Sequence, residues 1–358
     1  MRIFHIHGGG AQELSALPHH LPAEGFVWIA CARPAFQARL AEIQGHLQAL
    51  TGQQLVDLHV SDLLNAHLPS HYDYTAQYDL LVFRRLATAQ ESDAAQGTAA
   101  AVKHTGPPVL RRIDTSPVGF AVFDQVLLTV HPTDCAVRDA YAARLLAATP
   151  GARMPASPAD LMLRVVNLMV DGYLDLRRDL TRQLDHWQNE LLKPRARYVN
   201  WTSLLGARLS LHQLDEICED QRTAVQDWID ALETWAPPGH PGGARELDLL
   251  KVRSRDVLEH IERVVHHVRR LEQSTETAVQ MHFSVQSNRT NDIMRTLTAL
   301  TAVFLPLNLI AGIFGMNFEF IPLVHKADGF WWAMGAMAVI AVALVLLFWR
   351  KRYLARSR

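Results

Sequence analysis

Residues Ile293–Pro322 read IMRTLTALTAVFLPLNLIAGIFGMNFEFIP. A long apolar run closes on a short turn that holds Gly312, Gly315, Asn317, the acid Glu319 and Pro322. A second apolar run, GFWWAMGAMAVIAVALVLLFW, follows from Gly329 to Trp349 and carries no charge. Each run is about the ~20 residues that cross a bilayer core as a helix. The bland alternative is two buried core helices, but helices of soluble proteins are seldom apolar on every side for that length. Trp331, Trp332 and Trp349 stand at the ends of the second run, where amphipathic rings sit at a membrane interface.

The basic residues set an orientation. The tail RKRYLARSR holds Arg350, Lys351, Arg352, Arg356 and Arg358, and Arg289 and Arg295 flank the first run, whereas the connecting loop has only Lys326. By the positive-inside rule both termini are cytosolic and the turn faces outside. In a bacterial cell that places the chain in the inner (plasma) membrane. MRIFHIHGGG at the start lacks the apolar region of a signal peptide. With 35 Lys and Arg against 36 Asp and Glu, the chain has no global signature of a nucleic-acid binder. Its cysteines, Cys31, Cys135 and Cys218, are far apart in sequence, which fits a reducing compartment better than a disulfide or zinc framework.

The remaining chain divides in two. Residues 1–157 read as a mixed α/β domain: FVWIACA, YDLLVFRRL and DQVLLTV are strand-like, and AFQARLAEIQGHLQAL has the period of one amphipathic helix. The small, polar stretch Glu91–Gly106 reads as a loop. Residues 158–292 read as long helices. One runs from Pro158 to Pro194, a second from Trp201 to Trp235, and APPGHPGGA then breaks the pattern. From Ala244 no glycine intervenes before Gly312 and no proline before Pro306. That predicts one helix, on the order of 100 Å at ~1.5 Å per residue, leading without a break into the first span at 293–315. The outer loop is then 316–328, the second span 329–349 and the basic tail 350–358. The expected fold class is an α/β cytosolic domain plus long helices leading into two C-terminal transmembrane helices.

A second pattern lies on that long helix. Asn291, Met294, Thr298, Thr301, Leu305, Asn308 and Gly312 recur at alternating spacings of three and four. Small and polar residues on one stripe are ordinary in helix packing within membranes. They also suit the wall of a water-filled pore, because polar groups at membrane depth face a cavity or a bundle interior. Two spans cannot enclose a pore, so the second reading requires an oligomer.

The segment NRTNDIMRTLTALTAVFLPLNLIAGIFGMNFEFIP, with GMN at Gly315, Met316 and Asn317 placed between two spans and ahead of a basic tail, resembles the CorA family of divalent-cation transporters. SDLLNAHLPSHYDYTAQYDLLVF, LLTVHP and LMVDGYLDL resemble family segments upstream, so the likeness covers most of the chain. It implies a homopentamer in membrane lipid, with a cytosolic funnel, a pore of five helices and a ring of GMN loops at the outer mouth. Along that pore it puts Asn291, Met294, Leu297, Thr301, Leu305, Asn308 and Gly312; Glu319, repeated in each subunit, would raise the local cation concentration at the mouth. It also implies a regulatory cation between subunits at Asp256 of SRDVLEH, with Asp79 as partner and Asp171 as a further candidate; the alternative for Asp256 is a solvated acid on a long helix. Three departures stand out. Asn308 replaces a threonine frequent in family pores, IPL replaces the MPE of many family loops, and Arg177, Arg178 and Arg182 make the helix after Pro158 less acidic than in many relatives.

The transported ion implied is Mg²⁺, with Co²⁺ or Ni²⁺ as surrogates, and no organic cofactor or nucleic acid is expected. Mg²⁺ prefers oxygen ligands and dehydrates reluctantly. A ring of Asn317 carboxamides can meet its water shell, and Gly315 permits the turn that aims them. The chain has no GxxxxGK loop, in keeping with passive uptake. Three rivals remain. His7–Gly10, HGGG, resembles an esterase oxyanion motif but has no GxSxG partner, so no enzymatic activity is expected. A non-conducting, membrane-anchored scaffold leaves GMN without a role. A zinc transporter of the same superfamily is suggested by 18 histidines, with pairs at His5/His7, His19/His20 and His266/His267, although no pair lies in a span.

Overall fold

The computed structural model describes residues 1–87, 113–148, 153–192, 201–237, 239, 242–316 and 328–350. The loop expected at Glu91–Gly106, the helix stop at Pro194, and Asn317 and Glu319 lie outside the described residues. Two compact units are present, Met1–Glu276 and Thr277–Arg358.

The first unit is built on a seven-stranded sheet in the order β2-β1-β3-β7-β6-β5-β4. Its strands are β1 (Arg2–His7), β2 (Gly10–Leu14), β3 (Phe26–Ala32), β4 (His71–Tyr74), β5 (Asp79–Leu86), β6 (Thr115–Val122) and β7 (Val126–His131). Only β3 and β7 run parallel; the other neighbouring strands are antiparallel. FVWIACA and VLLTVH are apolar without alternation because both of their faces are buried. On one face Val27, Ile29 and Cys31 join Leu80, Val82 and Leu128 beneath α1 (Arg33–Ala38), α2 (Leu40–Thr51) and α3 (Asp57–Leu64). The amphipathic run expected as one helix is two, broken at Arg39, whose backbone turns out of helical geometry at φ −114° and ψ 22°. Gly119 lets α3 approach β6, since a Cβ there would collide with Leu63.

The other sheet face carries α4 (Ala136–Leu146), α5 (Pro158–Leu192) and α6 (Trp201–Thr234). Trp28 shows how that face is joined: it stacks on Phe4, meets the edge of Tyr141 on α4, and donates its indole N–H to Thr129 Oγ1 at 3.0 Å. The carbonyl of Arg84 on β5 accepts from Tyr173 Oη of α5 at 2.9 Å and from Gln221 Nε2 of α6 at 2.7 Å. Both donors are fully buried, so these bonds fix the long helices on the sheet at about 1 kcal/mol each.

The next helix, α7 (Gly243–Phe314), has 72 residues and contains Pro306. In the first unit its buried positions Leu250, Ser254, Val257, Ile261, Val264, Val268, Leu271 and Thr275 alternate by three and four, a heptad seam packed against its own chain. Trp228 Nε1 of α6 donates to Ser254 Oγ at 3.0 Å, and Thr181 Oγ1 of α5 meets His267 Nε2 at 2.8 Å. The second unit contains the rest of α7 and α8 (Gly329–Arg350).

Candidate functional site

Two helices are long and apolar enough to cross a membrane, α7 through its C-terminal part and α8. Almost none of the apolar window is buried in either, 6% and 0% respectively. Ile293, Leu300, Phe304 and Leu309 on α7, and Phe330, Val339, Val342 and Leu346 on α8, are all exposed. An apolar surface of this extent needs lipid or other subunits to cover it.

The stripe singled out in the sequence is continuous and uncovered. Asn291, Met294, Leu297, Thr298, Thr301, Leu305, Asn308 and Gly312 are each exposed on α7. Thr298 and Thr301 donate their hydroxyls to the carbonyls of Met294 and Leu297 at 2.8 and 2.9 Å. This back-bonding uses the only hydrogen on each hydroxyl and leaves its oxygen lone pairs as acceptors. Asn308 adds a carboxamide about two turns beyond Thr301. A Cβ at Gly312 would meet nothing within 4 Å. The stripe is therefore acceptor-rich, uncharged and narrowest in side-chain bulk at its Gly312 end. Beside it Asp292 and Arg295 form an ion pair at 4.0 Å.

The helix stops where the signature begins. Gly315 N donates to Ala311 O at 2.9 Å and Met316 N to Ile313 O at 3.3 Å. A Cβ on Gly315 would stand 3.1 Å from the Ala311 carbonyl oxygen, so the close return of the chain favours glycine there. Of the four residues expected at the outer mouth, Gly315 and Met316 are placed at this helix end.

The acids expected at a regulatory cation site are on three elements of the first unit. Asp256 lies on α7, 60% exposed, with His260 Nε2 at 3.9 Å. Asp171 is exposed on α5. Asp79 opens β5 and is half-buried; it accepts the Tyr72 hydroxyl at 2.5 Å. Burial pushes the Asp79 carboxyl above the usual carboxylate range, the Tyr72 bond opposes that shift, and Asp124 adds to it. Within one chain Asp79 and Asp256 line different cavities, of about 1630 and 290 Å³. Among the described residues no group of three or more His, Cys, Asp or Glu is gathered to hold a metal. Sequence reasoning missed the surroundings of Asp256: Arg144, Arg164 and Arg253 line the same small cavity. They come from three helices, so no local motif announces them.

Two of the paired histidines have backbone or side-chain partners from elsewhere in the chain. His5 Nε2 is 2.9 Å from the Glu24 carbonyl and its ring lies 5.3 Å from that of His7. His267 is held by Thr181.

Comparison with known proteins fits this architecture. The family model described as CorA-like Mg²⁺ transporter protein matches residues 23–352. The cobalt/magnesium transport protein CorA of Thermotoga maritima is 27% identical over 202 residues, 54% of this chain and 52% of that protein. The chain thus spans about half the length of that curated relative in the matched region. The complete structure of the CorA magnesium transporter from Methanocaldococcus jannaschii superposes with a TM-score of 0.73 at 17% identity, covering 98% of both chains. The cytoplasmic domain of ZntB from Vibrio parahaemolyticus superposes with a TM-score of 0.55 at 12% identity, over 80% of this chain and 98% of that domain. With a match across nearly its whole length, an α/β N-terminal domain and a long helix running into an apolar C-terminal pair, the chain belongs to the CorA-like Mg²⁺ transporter family.

Proposed function

We propose that this protein is the subunit of a homopentameric, potential-driven uptake channel for divalent cations, Mg²⁺ above all, with Co²⁺ or Ni²⁺ as surrogates. The observation that carries the reading is the uncovered acceptor stripe on α7, which runs at membrane depth from Asn291 to Gly312 and ends directly ahead of the GMN signature. An exposed polar stripe on a helix otherwise clad in apolar side chains is costly in lipid and favourable around water. Five copies would turn each stripe position into a ring. Asn291, Thr301 and Asn308 then supply oxygen acceptors for the water shell of the ion, while Met294, Leu297 and Leu305 form apolar rings that can dewet and close. Gly315, Met316 and Asn317 form the mouth, and Glu319 raises the local cation concentration there. A divalent ion gains about 4.6 kcal/mol per 100 mV on moving inward, so no coupled energy source is required.

On this reading residues 1–157 are the cytosolic α/β domain, 158–292 the helical stalk, 293–315 and 329–349 the spans, and both termini are cytosolic in the inner membrane. Asp256, with Asp79 and Asp171, senses cytosolic Mg²⁺. Zinc is the second reading. The likeness to the ZntB domain shows the fold alone, and the binding of His267 to Thr181 and of His5 to Glu24 gives those histidines structural partners. The sequence likeness to the cobalt/magnesium transport protein of Thermotoga maritima favours the first reading.

The test is Asn317→Ala reconstituted in liposomes under an inside-negative potential. The variant should assemble as the wild type does and lose Mg²⁺ uptake. Undiminished flux would remove Asn317 from the mouth, and a monomer or dimer by native mass measurement in lipid would remove the shared pore.

A further inference from the structure

The small cavity beside Asp256 is basic. It measures about 290 Å³ and opens between α4, α5 and α7. Tyr141 and Arg144 come from α4, Arg164 and Asn167 from α5, and Arg253 and Asp256 from α7, over a floor of Leu163 and Val257. Arg153 is close enough to Arg253 to help depress its basicity, after burial itself. Three guanidinium groups, those of Arg144, Arg164 and Arg253, therefore line the cavity with one carboxylate, that of Asp256, while Asp160 pairs with two of them from outside the lining.

Asp160 is spent on the scaffold. It is only 7% exposed and ion-paired to both Arg253 and Arg164, the latter at 3.2 Å. Arg164 also donates to the backbone carbonyls of Arg153 and Met154. These bonds hold two guanidiniums in fixed orientation at the cavity wall, so little side-chain freedom is lost when a ligand binds. Among the described residues Arg144 has no ion pair, and its helix presents it at the cavity rim. Asn167 adds an independent sign. Its amide oxygen is buried without a hydrogen-bond partner. Turning the amide by half a rotation puts an N–H at the same place, which an anionic oxygen would satisfy.

We propose that this cavity binds a phosphate group, either of an inorganic polyphosphate or of a nucleotide. Planar guanidiniums match the paired oxygens of phosphate, and the volume admits one phosphate with room for a second. Asp256, at the mouth, opposes the bound anion through like charge. This site is separate from the proposed pore and does not depend on transport.

The full-length protein in detergent or nanodiscs, without divalent cations, is titrated calorimetrically with pyrophosphate and with ATP. Wild type should bind one or both saturably at micromolar to millimolar concentration. Tighter binding of ATP assigns the nucleotide as source, and equal binding assigns the inorganic anion. Arg144→Ala removes an exposed guanidinium that makes no hydrogen bond or ion pair among the described residues, so it should nearly keep the wild-type melting temperature and weaken binding about 10-fold. Arg144→Lys should recover part of the loss. Asp256→Asn should tighten binding about 3-fold, the effect of removing one like charge at a partly exposed site. Absence of saturable binding, unchanged affinity in Arg144→Ala, or loss of binding in Asp256→Asn would each overturn the proposal.

Discussion

Tyr72 donates its phenolic hydrogen to Asp79 Oδ1 across 2.5 Å, from one strand of the β4–β5 hairpin to the other. The bond holds a half-buried carboxylate beside Asp124. Burial, the leading cause, raises the folded-state pKa of Asp79 above its unfolded value. A carboxyl shifted that way binds its proton more tightly when folded. The stability it contributes in acid is lost as pH rises through the folded pKa, and an ionised, destabilising carboxylate remains at neutral pH.

Asp79→Asn keeps an acceptor for Tyr72 and removes the charge. In buffer without divalent cations it should melt roughly 2 °C higher than wild type at pH 7, and the difference should vanish below about pH 4. If Asp79 ligates a regulatory cation, saturating Mg²⁺ should raise the melting temperature of wild type more than that of the variant. Equal shifts would leave Asp79 as a structural acid of the hairpin.

The hairpin also shows where sequence reading reaches and where it stops. FVWIACA, YDLLVFRRL and DQVLLTV announce β3, β5 and β7 because each carries an unbroken apolar run buried on both faces, in β5 from Leu80 to Phe83. TSPVGFAV, the β6 strand, does not announce itself, since Pro117 and Gly119 read as breakers; only the position of Leu63 explains the glycine. The break at Arg39 is silent because the apolar period continues through it. The stripe on α7 is legible from spacing alone, since one helix carries all of it. The burial of Asp79 and the arginines around Asp256 are not legible, because strand register and three-helix packing bring their neighbours from distant segments.

His131 ties stability to acid. It is buried at the end of β7; its Nδ1–H donates to the Pro132 carbonyl at 2.7 Å and its Nε2 faces Arg138 Nη1 at 3.5 Å. Burial, reinforced by Arg138 and Arg85 and opposed by the Pro132 bond and Asp139, lowers its pKa to about 4. The unfolded chain binds this proton near pH 6.5. Stability is thus full above about pH 6.5 and falls as pH drops toward 4, by on the order of 3 kcal/mol. His131→Gln, which does not titrate, should flatten that part of the pH–stability curve. The same acid slope in variant and wild type would assign it to other groups.

Trp228 and Ser254 join α6 to α7 by a hydrogen bond that is wholly buried at both ends. Ser254→Ala leaves the indole N–H unpaired, at a cost of about 1–3 kcal/mol. Denaturant or thermal unfolding of the full chain measures it. A loss below ~0.3 kcal/mol would mean that the indole finds another acceptor.

Gly312 tests the pore without disturbing the fold. A Cβ there would meet nothing within 4 Å in a single chain. Gly312→Val should therefore fold and insert as wild type does. In a ring of five it would place five isopropyl groups in the lumen and reduce Mg²⁺ flux at least about 10-fold, through exclusion and loss of hydration. Wild-type flux in this variant would turn the stripe toward lipid or toward a packing seam.

On the proposed reading, Asp256 would link cytosolic cation to flux. It is 60% exposed on α7 and pairs only loosely with His260, at 3.9 Å, so its charge is available to a divalent ion held against a neighbouring subunit. Such an ion would offset facing carboxylates and favour the symmetric closed state; when it leaves, like charges repel and the pore opens more often. The arginines of the adjoining cavity already offset part of that charge, which should weaken the sensor. Asp256→Asn should keep conducting at internal Mg²⁺ concentrations that close the wild type, shifting the half-closing concentration upward about 3-fold or more, the result of losing on the order of 0.7 kcal/mol per subunit of differential affinity. The measurement is liposome flux against internal Mg²⁺, with phosphates absent so that the neighbouring cavity is unliganded. Coincident curves would reduce Asp256 to a solvated acid and place any cation sensing on other residues.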